Sequence, residues 1–328
     1  MNENKQNVEI LNSYDNTKEL LEKFPVLNPT HVEPGIGEKI QNRLLTGFEN
    51  WNRGFDAWKA WGNILYTPDS IYNVHGARLT LAEYQAAMNI TLKKVGILMG
   101  AFRNMIICDD WCAIHYDITT LAGGHEIPGS VMEFVNFKDY GDPLGTRVVE
   151  GWGAPKDEGY QGMSMFRGPE STEIQKKQFK EIVDYKIPET DDLSKKYPVL
   201  NPTTDYSEMA DAIRIALLTE FDKWNNGYEA WDEWADQFYS SDLKAVAGSG
   251  KVMDLSAYKA AVKEQMVTTS PKRLYFDSML ISGDWAAIHY TIVAHKPGEK
   301  EPEAGDRMQF FRFVKNGDAV KVTECWNK

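Results

Sequence analysis

The chain has 328 residues and a formal net charge of −12, with 42% hydrophobic and 26% charged residues. This length predicts about two domains with buried cores, and such an acidic chain would repel the phosphates of nucleic acids. No apolar run approaches the roughly 18 residues of a membrane helix, and the polar start of the chain has no secretory signal. We therefore expect a cytoplasmic protein without nucleic-acid or membrane partners.

The sequence contains two copies of one domain. Leu44–Trp61 returns as Leu217–Trp234 with 10 of 18 positions identical, and Asp110–Tyr116 returns as Asp284–Tyr290. The offset between these matching segments is 173 or 174 positions. A repeat of this length predicts that each copy has its own core and that the copies form an intramolecular pseudo-dimer, with further homodimerisation left open.

The repeat predicts three segments: domain 1 over residues 16–156, a linker over 157–188 and domain 2 over 189–328. Within the linker, apolar residues lie close to one face of a helix: Ile174, Phe179, Ile182 and Val183. The pattern predicts an amphipathic helix that either docks on a domain or bridges the two.

Each copy begins with helices. In copy one, apolar residues recur every three or four positions, which predicts one long amphipathic helix through Phe48, Trp51, Phe55, Trp58, Trp61 and Leu65. A second helix is predicted over Leu81–Met88, with Thr80 as its N-cap. Its counterpart in copy two follows Asp254.

After the second helix the apolar period changes to two, which predicts strands over Ala113–Thr119, Met132–Phe137 and Arg147–Trp152. Copy two repeats these strands, and Asn316-Gly317 is a hairpin signal between its last two. Helices followed by an antiparallel meander predict an α+β fold, in which helices cover one face of a curved sheet.

Several segments together resemble the SnoaL-like polyketide cyclase branch of the nuclear transport factor 2-like superfamily. They are Leu65–Gly76, the helix that carries Glu83 and Tyr84, Asp110–Tyr116 and Val149–Trp152. The resemblance implies two tandem cone-shaped domains, each with a mostly apolar cavity between a bent antiparallel sheet and helices. Family members include ketosteroid isomerases, polyketide cyclases, dehydratases and epoxide hydrolases, as well as binding and scaffold proteins.

The resemblance assigns only part of the family's catalytic residues. Where these cyclases carry an acid/base Asp before the Trp of the last strand, this chain has Gly151 and Cys325. The position of the isomerases' acidic oxyanion-hole residue falls on Gln309 and, by the repeat, on Glu133. Their general base falls at or beside His75, and their helix-borne Tyr donor has no match.

Titratable residues are concentrated in copy one, where His75, Glu133 and Asp117 stand at positions that hold Ser249, Gln309 and Thr291 in copy two. A neutral His can take a proton, and a carboxyl in apolar surroundings can donate one. The three residues are the catalytic candidates of a cofactor-free isomerase, cyclase or dehydratase. In the alternative interpretation, His75 caps a loop and Glu133 faces solvent or the domain interface.

We expect the domain 1 cavity to hold a small hydrophobic or aromatic molecule. The candidate ligand-binding residues are Trp51, Phe55, Trp58, Tyr72, Phe102, Trp152 and Gln309. Core packing is the alternative for the Trp stripe. His115 and His289 occur in both copies, which favours a structural role for them.

No metal or cofactor is expected, because metal-binding and nucleotide-binding motifs such as HExxH, GxGxxG and the P-loop are missing from the sequence. The three cysteines, Cys108, Cys112 and Cys325, are interpreted as reduced and structural. The alternative to an enzyme is a non-catalytic protein that binds a hydrophobic molecule or serves as a scaffold.

Overall fold

The computed structural model describes residues 11–13, 15–28, 32, 34–74, 76–141, 145–153, 169–201, 207–248 and 250–327. The chain divides into two compact units, with the boundary along the chain after Gly153. We call them domain 1 and domain 2. In each domain, helices precede most strands of a curved sheet, so the predicted α+β fold is confirmed.

Domain 1 consists of α1 (Thr17–Lys23), α2 (Ile36–Asn52), α3 (Phe55–Leu65), β1 (Tyr66–Val74), β2 (Ala77–Thr80), α4 (Leu81–Lys94), β3 (Gly96–Cys108), β4 (Trp111–Ala122), β5 (His125–Asp139) and β6 (Thr146–Gly153). Its sheet has the strand order β2-β1-β6-β5-β4-β3. The central strand β5 pairs antiparallel with β4 and with β6.

The rest of the chain forms α5 (Pro169–Val183), α6 (Leu193–Lys196), β7 (Val199–Asn201), α7 (Glu208–Asn225), α8 (Tyr228–Phe238), β8 (Tyr239–Val246), β9 (Val252–Met253), α9 (Leu255–Thr269), β10 (Lys272–Ser282), β11 (Trp285–His295), β12 (Pro302–Asn316) and β13 (Ala319–Asn327). The domain 2 sheet has the order β7-β10-β11-β12-β13-β8-β9. Its core lies between this sheet and helices α7 to α9.

The prediction of one long helix through the Trp stripe is wrong, because α2 and α3 are separate helices. Gly54 lies between them with φ of 110°, which residues with a Cβ rarely adopt. Its N–H donates to the Trp51 carbonyl at 2.9 Å, and its carbonyl accepts from the Trp58 N–H at 3.0 Å. Gly227, with φ of 101°, makes the same break in domain 2.

The predicted N-caps are confirmed. Thr80 Oγ1 accepts from the Glu83 N–H at 3.3 Å, and the Glu83 carboxylate accepts from the Thr80 N–H at 2.8 Å, so the two residues form a capping box. In domain 2, Asp254 Oδ1 accepts from the Ala257 N–H at 2.8 Å. These caps satisfy backbone donors that a helix N-terminus leaves without intrahelical partners.

The helix α5 docks on domain 2. Its Phe179 and Ile182 pack with Leu274 of β10 and Ala304 of β12. Since side chains alternate along a strand, this is the sheet face opposite the one that packs on α7 to α9. Of the two arrangements left open for the amphipathic helix, the structure has the docked one.

Candidate functional site

The centre of the candidate site is Glu133 on β5. In the strand register it lies opposite Ile114 of β4 and Gly153 of β6. Gln309 lies opposite Ile288 in domain 2, and Ile114 and Ile288 are equivalent in the repeat. Glu133 and Gln309 therefore occupy the same place in the two folds.

Tyrosine hydroxyls surround the Glu133 carboxyl group. The Tyr116 hydroxyl donates to Glu133 Oε1 at 2.9 Å, and Tyr72 is a second hydrogen-bond partner. The Tyr72 ring stacks on Tyr84, with centroids 4.2 Å apart and planes at 17°. Together with Tyr66, whose pKa responds to the charge of Glu133, these residues form what we call the tyrosine cluster: Tyr66, Tyr72, Tyr84 and Tyr116.

Two glycines of β6 make room for Tyr72. A Cβ at Gly151 would lie 2.6 Å from Cδ2 and Cε2 of the Tyr72 ring, and a Cβ at Gly153 would lie 2.6 Å from its hydroxyl oxygen. Real Cβ atoms essentially never approach so closely. The Tyr72 ring thus covers the place at which the resembling cyclases carry their Asp.

Burial raises the pKa of Glu133 above its ordinary value of 4.5, while the hydrogen bonds from Tyr72 and Tyr116 oppose the shift. In the tyrosine cluster, burial and then the charge of Glu133 raise the pKa of Tyr66, Tyr72 and Tyr116. The tyrosines consequently stay protonated as donors, and Glu133 is the carboxyl group of this site, with a pKa raised by burial.

Glu133 remains partly accessible although its neighbours are buried. Tyr72, Tyr84 and Tyr116 expose 9% of their surface or less, whereas Glu133 is half-buried. The carboxyl of Glu133 is therefore the part of this cluster that solvent or a ligand can reach.

Of the other two catalytic candidates, Asp117 is within the described residues, and its side chain lies away from Glu133. His75 lies outside the described residues. Asp117 follows Tyr116 on β4, so the two side chains point to opposite faces of the sheet. Asp117 Oδ1 instead accepts a hydrogen bond from Arg103 Nε at 2.5 Å, in a half-exposed ion pair.

Most aromatic candidates for ligand binding pack with one another in the interior of domain 1. Trp58 meets Trp51 edge-on at 5.0 Å and Tyr84 at 5.5 Å, so it links the Trp stripe to the tyrosine cluster. Phe102 is fully buried. Phe55 is half-buried, with its ring 5.9 Å from that of Trp58.

Two further candidates lie elsewhere. Trp152 stacks on Trp111 at 5.3 Å, and because Gly151 and Gly153 on either side of it face Tyr72, its side chain points to the opposite face. Gln309 belongs to domain 2, where its Nε2 donates to Asn327 Oδ1 at 2.7 Å.

Sequence reasoning did not select Tyr66, Tyr84 or Tyr116 as site residues. A signal for Tyr116 was present, because it lies two residues after Ile114, the strand partner of Glu133. Residues two apart on a strand share a face, so Tyr116 and Glu133 had to lie on the same side of the sheet.

In the part of the chain that the structure describes, no group of three or more His, Cys, Asp or Glu side chains is placed to hold a metal ion. Among the same residues, no helix has the length and apolar character needed to cross a membrane.

In fold, the chain is similar to SnoaL-like polyketide cyclases, the family that its sequence resembles. A protein provisionally described as such a cyclase from Jannaschia sp. CCS1 matches 38% of this chain and 90% of its own, with 12% identity and a TM-score of 0.34. A SnoaL-like polyketide cyclase from Agrobacterium tumefaciens matches 36% of this chain and 90% of its own, with 11% identity and a TM-score of 0.30.

A third similar structure is TerC, co-crystallised with polyporic acid. It matches 35% of this chain and 88% of its own, with 12% identity and a TM-score of 0.28. No protein-family model matches the sequence, and no curated protein matches it.

Proposed function

We propose that domain 1 is a cofactor-free acid/base site for a small hydrophobic or aromatic carbonyl compound, of the isomerase, cyclase or dehydratase type. The observation that supports this proposal is the Glu133 carboxyl, held by Tyr116 and Tyr72 in apolar surroundings that raise its pKa. The cytoplasmic location and the pairing of the two domains as a pseudo-dimer are predictions from the sequence.

In the proposed reaction, a protonated Glu133 donates a hydrogen bond to the carbonyl oxygen of the substrate. As the substrate enolises, negative charge develops on this oxygen, and the proton of Glu133 stabilises it or transfers to it. The Tyr116 hydroxyl, which donates to Glu133 Oε1, then stabilises the carboxylate that forms. A low-polarity interior strengthens each of these interactions relative to water.

The same reaction needs a base that removes a proton from the carbon next to the carbonyl. For this role we propose His75, on its residue type and its position in the sequence. The proton moves from the substrate carbon to the imidazole, while the oxygen receives the proton of Glu133. The imidazolium then gives its proton to another carbon of the dienol, and the oxygen proton returns to the Glu133 carboxylate. Both groups are thereby restored and the double bond has shifted without a redox cofactor.

A non-catalytic carrier of hydrophobic molecules is the second candidate. The observation that favours it is the position of Tyr72, which covers Gly151 where the resembling cyclases have their catalytic Asp. In this case the tyrosine cluster would only form the wall of a binding site, and Glu133 would orient a polar group of the ligand.

The test combines ligand-detected thermal shift with turnover on the full chain. Wild type, Glu133→Gln and Glu126→Gln are screened against steroid enones, polyphenols and polyketide-like aromatics. Glu126 lies on the same strand but is exposed, so its substitution is the matched control. A ligand at a hundredfold excess over its Kd stabilises the fold by about 2.7 kcal/mol, which is readily detected.

We expect a ligand whose absorbance changes with time in the wild type and in Glu126→Gln but not in Glu133→Gln. Loss of turnover with binding retained would assign the proton transfer to Glu133. Binding without turnover in all three proteins would support the carrier. A turnover that survives Glu133→Gln would refute the acid/base role of this residue.

A further inference from the structure

Domain 2 contains a cavity of about 270 Å³. Aromatic and apolar side chains form much of its wall, among them Trp224, Tyr258, Tyr290, Met253 and Val262. Polar side chains reach it as well: Arg273, Arg307, Gln309, Gln265 and Asn327. Cavities for drug-sized ligands start at about 300 Å³, so this one suits a smaller molecule, of about one ring.

The charges around this cavity are unbalanced. Arg273 and Arg307 both line it, and none of the described residues that line it is acidic. Glu220, which forms an ion pair with Arg273 Nη1, is not part of the lining. Because Glu220 neutralises Arg273, the remaining positive charge at the lining is that of Arg307, which attracts an anion.

Arg273 is held in place before any ligand arrives. It is 1% exposed, and its guanidinium carbon lies 3.8 Å from the centre of the Trp224 ring and 5.0 Å from that of Tyr290. Its Nε is buried and has no hydrogen-bond partner among the described residues. Its charge is compensated by Glu220, so Arg273 forms a fixed polar part of the wall that holds the Trp224 and Tyr290 rings in place.

The remaining polar side chains are compatible with an anion. Gln309 stands where domain 1 has Glu133, so a neutral amide replaces the carboxyl that would repel a negative ligand. Its Nε2 is fixed by Asn327 Oδ1 at 2.7 Å. Arg307 is half-buried and donates from Nη1 to the Asp306 carbonyl at 2.6 Å, so this hydrogen bond orients its guanidinium group.

We propose that the domain 2 cavity is a binding site for a small aromatic carboxylate. The carboxylate is recognised by Arg307, and the ring packs among Trp224, Tyr258 and Tyr290. This site is separate from the proposed acid/base site in domain 1 and does not depend on it. An inorganic anion fits less well, because it has no apolar part that could pack against the aromatic side chains of the lining.

Isothermal titration of the full chain with benzoate tests the proposal. Benzamide has the same shape without the charge, and inorganic phosphate has charge without the ring. We expect benzoate to bind at concentrations up to a few millimolar, and benzamide and phosphate to bind at least about tenfold more weakly.

Variants locate the site. Arg307→Gln removes one cation without leaving a buried charge alone, and Glu220→Gln with Arg273→Met removes the buried pair together. Arg312→Gln is the matched control, because Arg312 is half-exposed and pairs with Asp284 and Glu324, away from the cavity. Circular dichroism verifies that each variant is folded.

We expect Arg307→Gln to weaken benzoate binding by about tenfold or more, the double variant, which leaves the net charge unchanged, to weaken it less, and Arg312→Gln to leave it unchanged. Three results would overturn the proposal. They are no benzoate binding by the folded wild type, equal binding of benzoate and benzamide or phosphate, and an equal loss of affinity in Arg312→Gln.

Discussion

The two domains share their fold and most of their interior tyrosines but differ in where they keep charge. Tyr66, Tyr84 and Tyr116 of domain 1 recur as Tyr239, Tyr258 and Tyr290 in domain 2. Next to these shared tyrosines, domain 1 has one carboxyl group with a raised pKa, that of Glu133. Domain 2 holds a buried Glu220–Arg273 ion pair.

The size of the neighbouring residues limits which charged side chain fits in the interior of each domain. Glu220 is replaced by Gly47 in domain 1, where a Cβ would lie 2.6 Å from Cη2 of Trp61. The packing of Trp61 against Gly47 therefore leaves no room for a longer side chain at position 47. The comparison teaches that one scaffold can present either a proton donor or an anion site after exchanges at a few interior positions.

The largest effect is expected at the ion pair of domain 2. Arg273→Met leaves Glu220 buried, with the Trp231 Nε1–H at 3.2 Å as its remaining hydrogen-bond partner among the described residues. Loss of one member of a buried pair costs about 3–5 kcal/mol. The double variant Glu220→Gln, Arg273→Met should lose less, because no charge is left unpaired. Equilibrium urea unfolding measures both, and equal losses in the single and double variants would contradict the comparison.

An intermediate effect is expected at Gly151. Gly151→Cys introduces a Cβ against the Tyr72 ring, and such overpacking costs about 1–3 kcal/mol. Domain 2 has Ala245 and Cys325 at the equivalent positions, and the two are paired in its sheet. Adding Tyr72→Ala to Gly151→Cys should therefore cost less than the sum of the two single changes. Strict additivity in urea unfolding would argue against this coupling.

The smallest effect is expected for the pH dependence of Glu133. Because the pKa of Glu133 in the folded protein lies above its ordinary value of 4.5, the folded state binds more protons than the unfolded chain between these two values. The free energy of unfolding then falls as pH rises through that window.

Glu133→Gln removes this proton uptake, so the free energy of unfolding of the variant should rise relative to that of the wild type as pH increases above 4.5. The gain is at most about 1.4 kcal/mol per pH unit. Denaturation at several pH values measures it, with Glu126→Gln as the control for an exposed carboxyl. A difference between Glu133→Gln and wild type that is constant with pH would show that the carboxyl does not titrate in this range.

The fold could be predicted from the sequence because the internal repeat, the spacing of the apolar residues and the helix N-caps all indicate the same elements. Thr80 and Asp254 mark helix starts in the sequence and form those caps in the structure. The break at Gly54 was missed because the apolar stripe continues across it, with Trp51 before it and Phe55 after it. One glycine is a weaker signal for a helix end than the regular spacing of apolar residues is for a continuous helix.

The site was only partly predictable. The repeat identified the position of Glu133, and the strand register supports its equivalence to Gln309. The alternation of side chains along a strand also indicated that Asp117 and Tyr116 point to opposite faces of the sheet. Asp117 was nevertheless selected as a candidate, because the two copies differ at that position. The contact of Tyr72 with Gly151 joins positions far apart in the sequence, so no local pattern could reveal it.

The packing of Tyr72 on Gly151 also constrains how the two halves of such a duplicated chain can diverge. Between the Tyr–Gly arrangement and the Ala–Cys arrangement lie two single-step ancestors. One carries Tyr with Cys and is overcrowded, whereas the other carries Ala with Gly and has an empty space the size of a phenol ring. The second route passes through a protein with a larger pocket, so a new ligand could have been acquired before the space was filled again.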